Sequence, residues 1–187
     1  MSARPKIPLE LTTDRLVLHA PHPDQAEELV AGIRASFRGL NRWMDWATEV
    51  PTIDWERDHL SSWRKQHEAG ELLSYFLTLR EGGAFVGNCG IPRLDWNERR
   101  FEIGYWCHTT HEGKGYVSEA VRALSELAFG DFHARRIELR MSEINEKSWR
   151  VAERCGFVLE ETLANDGCHT DGSARNTRVY VKLSDSY

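Results

Sequence analysis

Hydrophobic and polar positions in the first third of the chain follow the two-residue period of a strand and then the longer period of a helix. Residues 15–19 (RLVLH) predict the first strand. Apolar residues then recur at helical spacing from Pro23 to about Leu40, and a second helix is predicted over 54–69. Gly70 would end this second helix, because glycine readily adopts the left-handed conformation that follows a last helical turn.

Strands and helices alternate in the rest of the chain. Residues 72–80 and 85–91 predict a hairpin that turns at Glu81-Gly82-Gly83. Later strands are predicted at 99–107, 136–141, 157–163 and 177–183, with a polar loop between the last two, and helices at 115–129 and 146–155. Because hairpins come first and strand–helix units follow, this order predicts an α/β domain with a mixed sheet.

Composition and charge narrow the class of protein. A chain of 187 residues with 41% hydrophobic and 28% charged residues suits one soluble domain, expected to span residues 1–187. No signal-peptide core and no apolar run of membrane-spanning length is seen, so we expect a cytoplasmic protein without a membrane partner. A net charge of −5 argues against direct nucleic-acid binding and favours a cationic substrate such as an amine.

The cysteines give no sign of a metal site or of a disulfide framework. The four of them, Cys89, Cys107, Cys155 and Cys168, form no C-x-x-C pair, so free thiols are expected. Cys107, His108 and His111 lie close together in sequence, but no second ligand pair with matching spacing accompanies them. We therefore expect no metal.

A glycine loop joins the strand at 99–107 to the amphipathic helix that follows it. Gly113-Lys114-Gly115 would let backbone N–H groups approach an anion at the positive end of the helix. The loop is not a P-loop, and a dinucleotide fingerprint is disfavoured because Ser118 replaces its third glycine. A glycine turn that binds no ligand stays open as an alternative.

Longer segments around this loop resemble a known family. The segments are HEGKGYVSEA (111–120), the later N-x-x-S and VAERCGF (151–157), the opening L-x-T-x-R-L-V-L and the strand EIGYW (102–106). Together they resemble the GNAT superfamily of N-acetyltransferases, and most closely its RimJ/RimL branch of ribosomal-protein N-terminal acetyltransferases. The resemblance implies a single GNAT-like α/β domain. Its sheet would be mostly antiparallel with a central splay, and helices would flank both faces.

The resemblance also implies acetyl-CoA as co-substrate and a set of residues that bind it. Backbone amides of the loop would bind the pyrophosphate, at His111, Glu112, Gly113, Lys114, Gly115 and Tyr116. The strand ending at Trp106, Cys107 and His108 would pair with the pantetheine arm, and a backbone N–H there would face the thioester oxygen. Thr110 stands where the superfamily usually has Gln or Arg, and Glu112 where this branch commonly has Arg.

Three further residues are candidates for binding and catalysis. Asn145 fits a helix N-cap, and the resemblance adds a contact to pantetheine. Ser148 matches the family's general acid for the departing thiolate, with a plain first-turn serine as the alternative. Glu102, in a strand expected to be largely buried, is the first candidate for the base that deprotonates the amine. Glu143 and His108 are the alternates, and a structural carboxylate bonded to a neighbouring loop is the competing interpretation of Glu102.

These observations predict an N-acetyltransferase in which a primary amine attacks the thioester directly. The branch points to the N-terminal α-amine of a protein, such as a ribosomal protein. A small amine as acceptor and a non-catalytic acyl-CoA-binding module are the alternatives. A covalent route through Cys107 or Cys155 is disfavoured because no His–Cys pair is evident.

A homodimer is expected by analogy only. Segments 24–70 and 164–176 should shape acceptor specificity, and tryptophans 43, 46, 55 and 63 either pack or form a substrate wall.

Overall fold

The computed structural model describes residues 5–184 and contains one twisted sheet of eight strands. The strands are β1 (Glu10–Thr12), β2 (Leu16–His19), β3 (Leu73–Leu79), β4 (Phe85–Asp95), β5 (Arg100–Cys107), β6 (Arg136–Ser142), β7 (Val158–Cys168) and β8 (Ala174–Leu183). Their spatial order is β1-β2-β3-β4-β5-β6-β8-β7. Among the strands of residues 5–184, only the β5–β6 pair is parallel, which confirms the mixed, mostly antiparallel sheet.

Four helices complete the described part of the chain: α1 (Ala26–Trp43), α2 (Ile53–Ala69), α3 (Tyr116–Gly130) and α4 (Glu146–Arg154). The predicted first helix is divided, because Pro23–Gln25 forms a 3₁₀ turn before α1 begins. Thr52 caps the N-terminus of α2 by accepting from the Trp55 amide. Gly70 ends α2 with φ +64°, as the sequence predicts.

Helices pack on both faces of the sheet and enclose two cores. Side chains of α1 and α2 form one core with Phe76, Phe85 and Trp106. A larger core lies on the other face, where α3 and α4 meet residues such as Phe101 and Ile137. Because neighbouring strand residues point to opposite faces, the strands contribute to both cores, and the expected helices on both faces are confirmed.

The sheet opens between β5 and β6. The two strands pair only where Arg100–Glu102 meet Arg136–Glu138, and beyond this point no ladder joins them among the described residues. On its other side, β5 stays paired with β4 as far as Cys107. The diverging strands therefore leave a gap that runs through the sheet, which is the expected central splay.

The last hairpin differs from the prediction. In place of a polar loop over 164–176, β7 continues to Cys168 and β8 begins at Ala174, so the turn is only residues 169–173. Local composition misled here, since Asn165 and Gly167 look like loop residues but lie in an irregular stretch of paired strand, where Asn165 takes φ +52°. Cross-strand pairing overrides the weak strand preference of this segment.

Smaller differences concern the edge strand and β4. The short strand β1 was not predicted, since three residues carry too little periodic signal. The strand β4 continues past Ile91 to Asp95, through a bulge next to Pro92 that tolerates the missing proline N–H. In residues 5–184, no helix has both the length and the apolar composition required to cross a bilayer.

Candidate active site

A cleft of about 540 Å³ opens at the splay. Its walls are the loop after α1, the diverging parts of β5 and β6, the start of α4 and the β7–β8 hairpin. Glu102 and Tyr105 line it from β5, and Asn145 and Ser148 line it from the α4 side. The fold therefore brings together three sequence candidates that are up to 46 positions apart in the chain.

The glycine loop leads directly into α3. Gly113 and Gly115 have φ values of +74° and +83°, in the left-handed region that favours glycine. Gly115 is the N-cap of α3 and supplies no side chain, so no side chain caps the first turn of the helix. Amide groups of this turn are available to an anion, and the helix dipole adds partial positive charge there.

Arg15 and Glu119 connect this loop and α3 to the β1–β2 turn. The Glu119 carboxylate accepts hydrogen bonds from Thr13 Oγ1 (2.6 Å), the Arg15 amide (2.9 Å) and Arg15 Nε (2.7 Å). Arg15 also donates to the carbonyl of Lys114 at 3.1 Å and stacks 4.6 Å above the Tyr116 ring. Burial acts to raise the pKa of Glu119, but the hydrogen bonds from Thr13 and Arg15 outweigh it, and the pKa is lowered.

The two positions that depart from the family pattern have partners of their own. Glu112 forms an ion pair of 2.6 Å with the exposed Lys147 on α4. Thr110 Oγ1 lies 2.9 Å from His108 Nδ1, in the short 3₁₀ turn Thr109–His111. The acidic side chain therefore has a cationic partner.

Ser148 lies in a hydrogen-bonded pair with a residue that the sequence did not single out. Its Oγ is 2.9 Å from the Tyr105 hydroxyl, which also donates to the Ser148 carbonyl at 3.0 Å. Burial raises the pKa of Tyr105, so this phenol stays protonated at neutral pH. Asn145 Oδ1 accepts from the Ser148 amide at 3.3 Å, which is the expected N-cap and fixes the start of α4.

Glu102 reaches the cleft from the other face of the sheet. Strand alternation places it with Trp106, whose side chain packs in the α1–α2 core, whereas Tyr105 points toward α3 and α4. The Glu102 side chain is 24% exposed and pairs with Arg93 Nη1 at 3.3 Å, so it is less buried than the sequence suggests. A base at Glu102 and an acid at Ser148 would thus act from opposite sides of the splay.

The alternates for the base are engaged elsewhere. Glu143 accepts from Asn176 Nδ2 at 3.1 Å, which ties β6 to β8, and it does not line the cleft. His108 Nδ1 accepts from the Thr110 amide at 3.2 Å and caps the 3₁₀ turn. Of these three candidates, Glu102 is the one that lines the cleft.

The strand end at 106–108 and the adjacent His111 have different surroundings. The Trp106 ring meets Phe85 edge-on at 5.6 Å, so its side chain belongs to the core. The amide of His108 donates to Val86 O at 2.7 Å. His111 Nδ1 is buried without a protein partner, and burial, with a smaller contribution from Lys114, lowers the pKa of this imidazole.

The thiols do not form a reactive centre. Burial, reinforced by the Glu112 charge, raises the pKa of Cys107 to about 11, and burial also raises the pKa of Cys155. Thiolate would therefore be scarce at neutral pH. No group of three or more His, Cys, Asp or Glu side chains within residues 5–184 is arranged to hold a metal ion.

The tryptophans divide between the two roles that the sequence left open. Trp43 and Trp46 line the cleft, and Trp46 is exposed. Trp63 packs against the α1–α2 core, and the exposed Trp55 stacks on His59 at 4.8 Å. Trp43 also meets His169 edge-on at 6.3 Å, so the β7–β8 turn contacts the end of α1.

Comparison with known proteins gives the family. A model of the acetyltransferase (GNAT) domain matches residues 15–158. This chain belongs to the GNAT acetyltransferase family. It is therefore an acyltransferase of the N-acetyltransferase type, and the catalytic and cofactor residues named above stay predictions.

Relatives agree with the expected branch. A Bacillus subtilis (strain 168) protein named "Putative ribosomal N-acetyltransferase YdaF" is 32% identical over 171 residues, which are 91% of this chain and 92% of that protein. The Escherichia coli (strain K12) ribosomal-protein-serine acetyltransferase is 25% identical over 93% of this chain and 96% of its own length. The resemblance to the RimJ/RimL branch is thus confirmed.

Solved structures share the fold. The Microcin C7 self immunity acetyltransferase MccE, in complex with acetyl-CoA and AMP, has a TM-score of 0.84 at 25% identity and covers 91% of this chain and 93% of its own. The ribosomal L7/L12 α-N-protein acetyltransferase RimL, in complex with coenzyme A, has a TM-score of 0.84 at 22% identity and covers 97% and 99%. At this identity the RimL structure supports the fold alone.

Proposed function

We propose that this enzyme transfers the acetyl group of acetyl-CoA to the N-terminal α-amine of a protein, such as a ribosomal protein, by direct attack. One observation carries the proposal. The cleft at the splay between β5 and β6 is lined by both Glu102 and Ser148, and the glycine loop that follows β5 leads into a helix N-terminus without a side-chain cap. The enzyme would encounter both acetyl-CoA and ribosomes in the cytoplasm.

The residues of this chain fit the binding of coenzyme A. Amides of the 113–116 loop and of the first turn of α3 would bind the pyrophosphate, as helix N-termini do. The edge of β5 from Ile103 to Cys107 lacks a β6 partner in residues 5–184, so it can pair with the extended pantetheine arm. Lys147 is an ion-pair partner of Glu112 and reduces the repulsion between its carboxylate and the pyrophosphate.

Glu102 and Ser148 supply the two proton transfers. Glu102 accepts the proton of the protonated amine, directly or through water, after its contact with Arg93 opens. The amine nitrogen then bonds to the thioester carbon, and a backbone N–H of β5 stabilises the oxyanion. As the carbon–sulfur bond breaks, Ser148 Oγ donates its proton to the departing sulfur, and the second proton on the acetylated nitrogen passes through water to Ser148, which Tyr105 holds in place. No acyl-enzyme is formed.

The acceptor is the least constrained part of the proposal. Its support is the name of the Escherichia coli relative, a ribosomal-protein-serine acetyltransferase, together with a cleft that is open between the loop after α1 and the β7–β8 hairpin. An open cleft admits the end of a polypeptide, whereas small amines would be enclosed less completely.

A thiol-release assay tests the proposal. Acetyl-CoA is supplied with peptides that start with Ala or Ser, with spermidine or with an aminoglycoside, and free coenzyme A is measured. We expect release with the peptides, and a loss of about 10²- to 10⁴-fold in kcat for Ser148→Ala and Glu102→Gln, the usual contribution of general acid–base groups. Turnover with small amines alone would refute the acceptor assignment.

Two controls separate catalysis from binding. Glu126→Gln, at an exposed position on α3, should keep wild-type turnover. Ser148→Ala should keep the rise in Tm that coenzyme A produces, because its hydroxyl is assigned to chemistry and not to affinity. A wild-type protein that coenzyme A stabilises but that releases no thiol with any acceptor would instead be a binding module.

A further inference from the structure

Two buried hydroxyl groups in the cleft have no hydrogen-bond partner among the described residues. Ser142 Oγ on β6 and Thr177 Oγ1 on β8 are both unpaired, although their side chains are only 8% and 3% exposed. The two residues are direct cross-strand partners, so their side chains are neighbours on one face of the sheet. Buried hydroxyls normally find a partner, so two neighbouring hydroxyls without one mark a candidate binding place for polar groups of a ligand.

This hydroxyl pair faces the same side of the sheet as the candidate base. Strand alternation puts Ile137, Leu139 and Met141 in the α3–α4 core, so Ser142 points to the opposite face, with Glu102. Thr177 shares that face, and both hydroxyls line the cleft. The acceptor amine has to approach from this side if Glu102 takes its proton.

Arg175 supplies further donors next to the hydroxyl pair. It precedes Thr177 by two positions on β8 and so lies on the same face, and its buried Nε has no hydrogen-bond partner within the part of the chain that the structure describes. Its ion pair with Asp45 is long, at 3.8 Å. Gly167 makes room for the guanidinium, because a Cβ there would lie 2.8 Å from Arg175 Nη2.

We propose that Ser142, Thr177 and Arg175 recognise the polar backbone next to the acceptor's amine, as found in the first residues of a polypeptide. This inference rests on the proposed function and names the groups that read its substrate. Hydroxyls can donate or accept, and the guanidinium donates, so the three suit the carbonyl and N–H groups of one or two peptide units. A simple alkyl amine offers no such groups and would leave these donors unmet.

The test compares Ser142→Ala and Thr177→Val with the wild-type enzyme. The assays measure kcat/KM for a Ser-starting hexapeptide, KM for acetyl-CoA, and Tm. We expect the peptide kcat/KM to fall about three- to tenfold for each variant, the loss of one hydrogen bond, while KM for acetyl-CoA is unchanged. We expect Tm to be equal or higher, because a buried hydroxyl without a partner costs stability.

Ser125→Ala is the matched control. Ser125 is also buried, but it lies in α3 and its Oγ donates to Val121 O at 2.7 Å. Its removal should leave peptide kinetics unchanged and should not raise Tm. A rise in Tm for the cleft variants and a fall for Ser125→Ala would distinguish hydroxyls that serve ligand binding from a hydroxyl that stabilises the fold.

Each outcome decides between the two proposals. A lower Tm with unchanged kinetics in both cleft variants would show that Ser142 and Thr177 serve the fold, and would overturn the inference. A raised KM for acetyl-CoA would assign the two hydroxyls to the cofactor, and would overturn it as well. If wild-type protein turns over the peptide and the variants equal it, only this inference fails. If wild-type protein acetylates no peptide at all, both the proposed function and the inference are overturned.

Discussion

Glu119→Gln tests whether the contact between the β1–β2 turn and α3 holds the glycine loop in its binding form. The carboxylate accepts three hydrogen bonds, one from Thr13 and two from Arg15. A glutamine keeps the shape but loses the charge, and its NH₂ group would face donors of Arg15. Arg15 would then hold the Lys114 carbonyl, 3.1 Å from its Nη1, less firmly.

The size of the effect follows from exposure. A hydrogen bond to a charged group contributes about 1.5–3 kcal/mol. The Glu119 side chain is 15% exposed but that of Arg15 is 49% exposed, so screening reduces the loss to about 1–2 kcal/mol. For a chain of this size each kcal/mol shifts Tm by about 2–4 °C, which gives a fall of roughly 2–8 °C. We expect KM for acetyl-CoA to rise about three- to tenfold as the loop loosens.

Thermal melts and thiol release at varied acetyl-CoA measure both effects, and Glu126→Gln on the same helix is the control. Since the folded-state pKa of Glu119 is lowered, its stabilisation is complete above the ordinary value of 4.5 and is lost as pH falls through the lower folded-state value. The difference in stability between wild type and variant should therefore shrink only in acid. A Glu119→Gln protein with the Tm and KM of the control would refute this reasoning.

Three other changes test separate features. Gly115→Ala forces a side chain into φ +83° and should cost about 1–2 kcal/mol and raise KM for acetyl-CoA, whereas Gly130→Ala, which meets no atom within 4 Å, should not. Cys107→Ala should keep full turnover, because the pKa of the Cys107 thiol is about 11 and little thiolate is present at neutral pH. Intact mass spectrometry of the wild-type protein should show no acetylated enzyme, and a loss of turnover in the variant would point to a covalent route. Burial raises the pKa of Glu56 to about 7, so wild-type stability should fall by about 3 kcal/mol between pH 4.5 and 7 from this group alone, and Glu56→Gln, followed by urea unfolding, should remove that decline.

Local patterns were sufficient for most elements of the fold. Helical spacing and Gly70 located α2 to within a residue, and the cap Asn145 located the start of α4, because these signals depend on neighbours in sequence. The 164–176 segment was mistaken for a loop, since its strand character comes from pairing with a distant part of the chain. The sequence also placed Glu102, Ser148 and the glycine loop in one site, through a resemblance that covers several motifs together.

Other parts of the site could not be read from composition or spacing. Tyr105 looked like an ordinary strand residue until the fold brought its hydroxyl to Ser148, 43 positions away. The partner of Glu112 is Lys147, which no local rule connects to it. Such contacts depend on which loops meet in space, and many different sequences could supply them.

The sequence by itself determined the family, the order of elements and the loop that would bind phosphate, because each depends on short-range periodicity or on a chain of motifs. Only the tertiary structure decided toward which face of the sheet each side chain points. It set Glu102 and Ser148 on opposite sides of the splay, and it left Ser142 and Thr177 adjacent and unpaired. The physical reason is the register of strand pairing. The sequence of a strand shows which side chains share a face, but only its pairing with other strands fixes which residues are their neighbours.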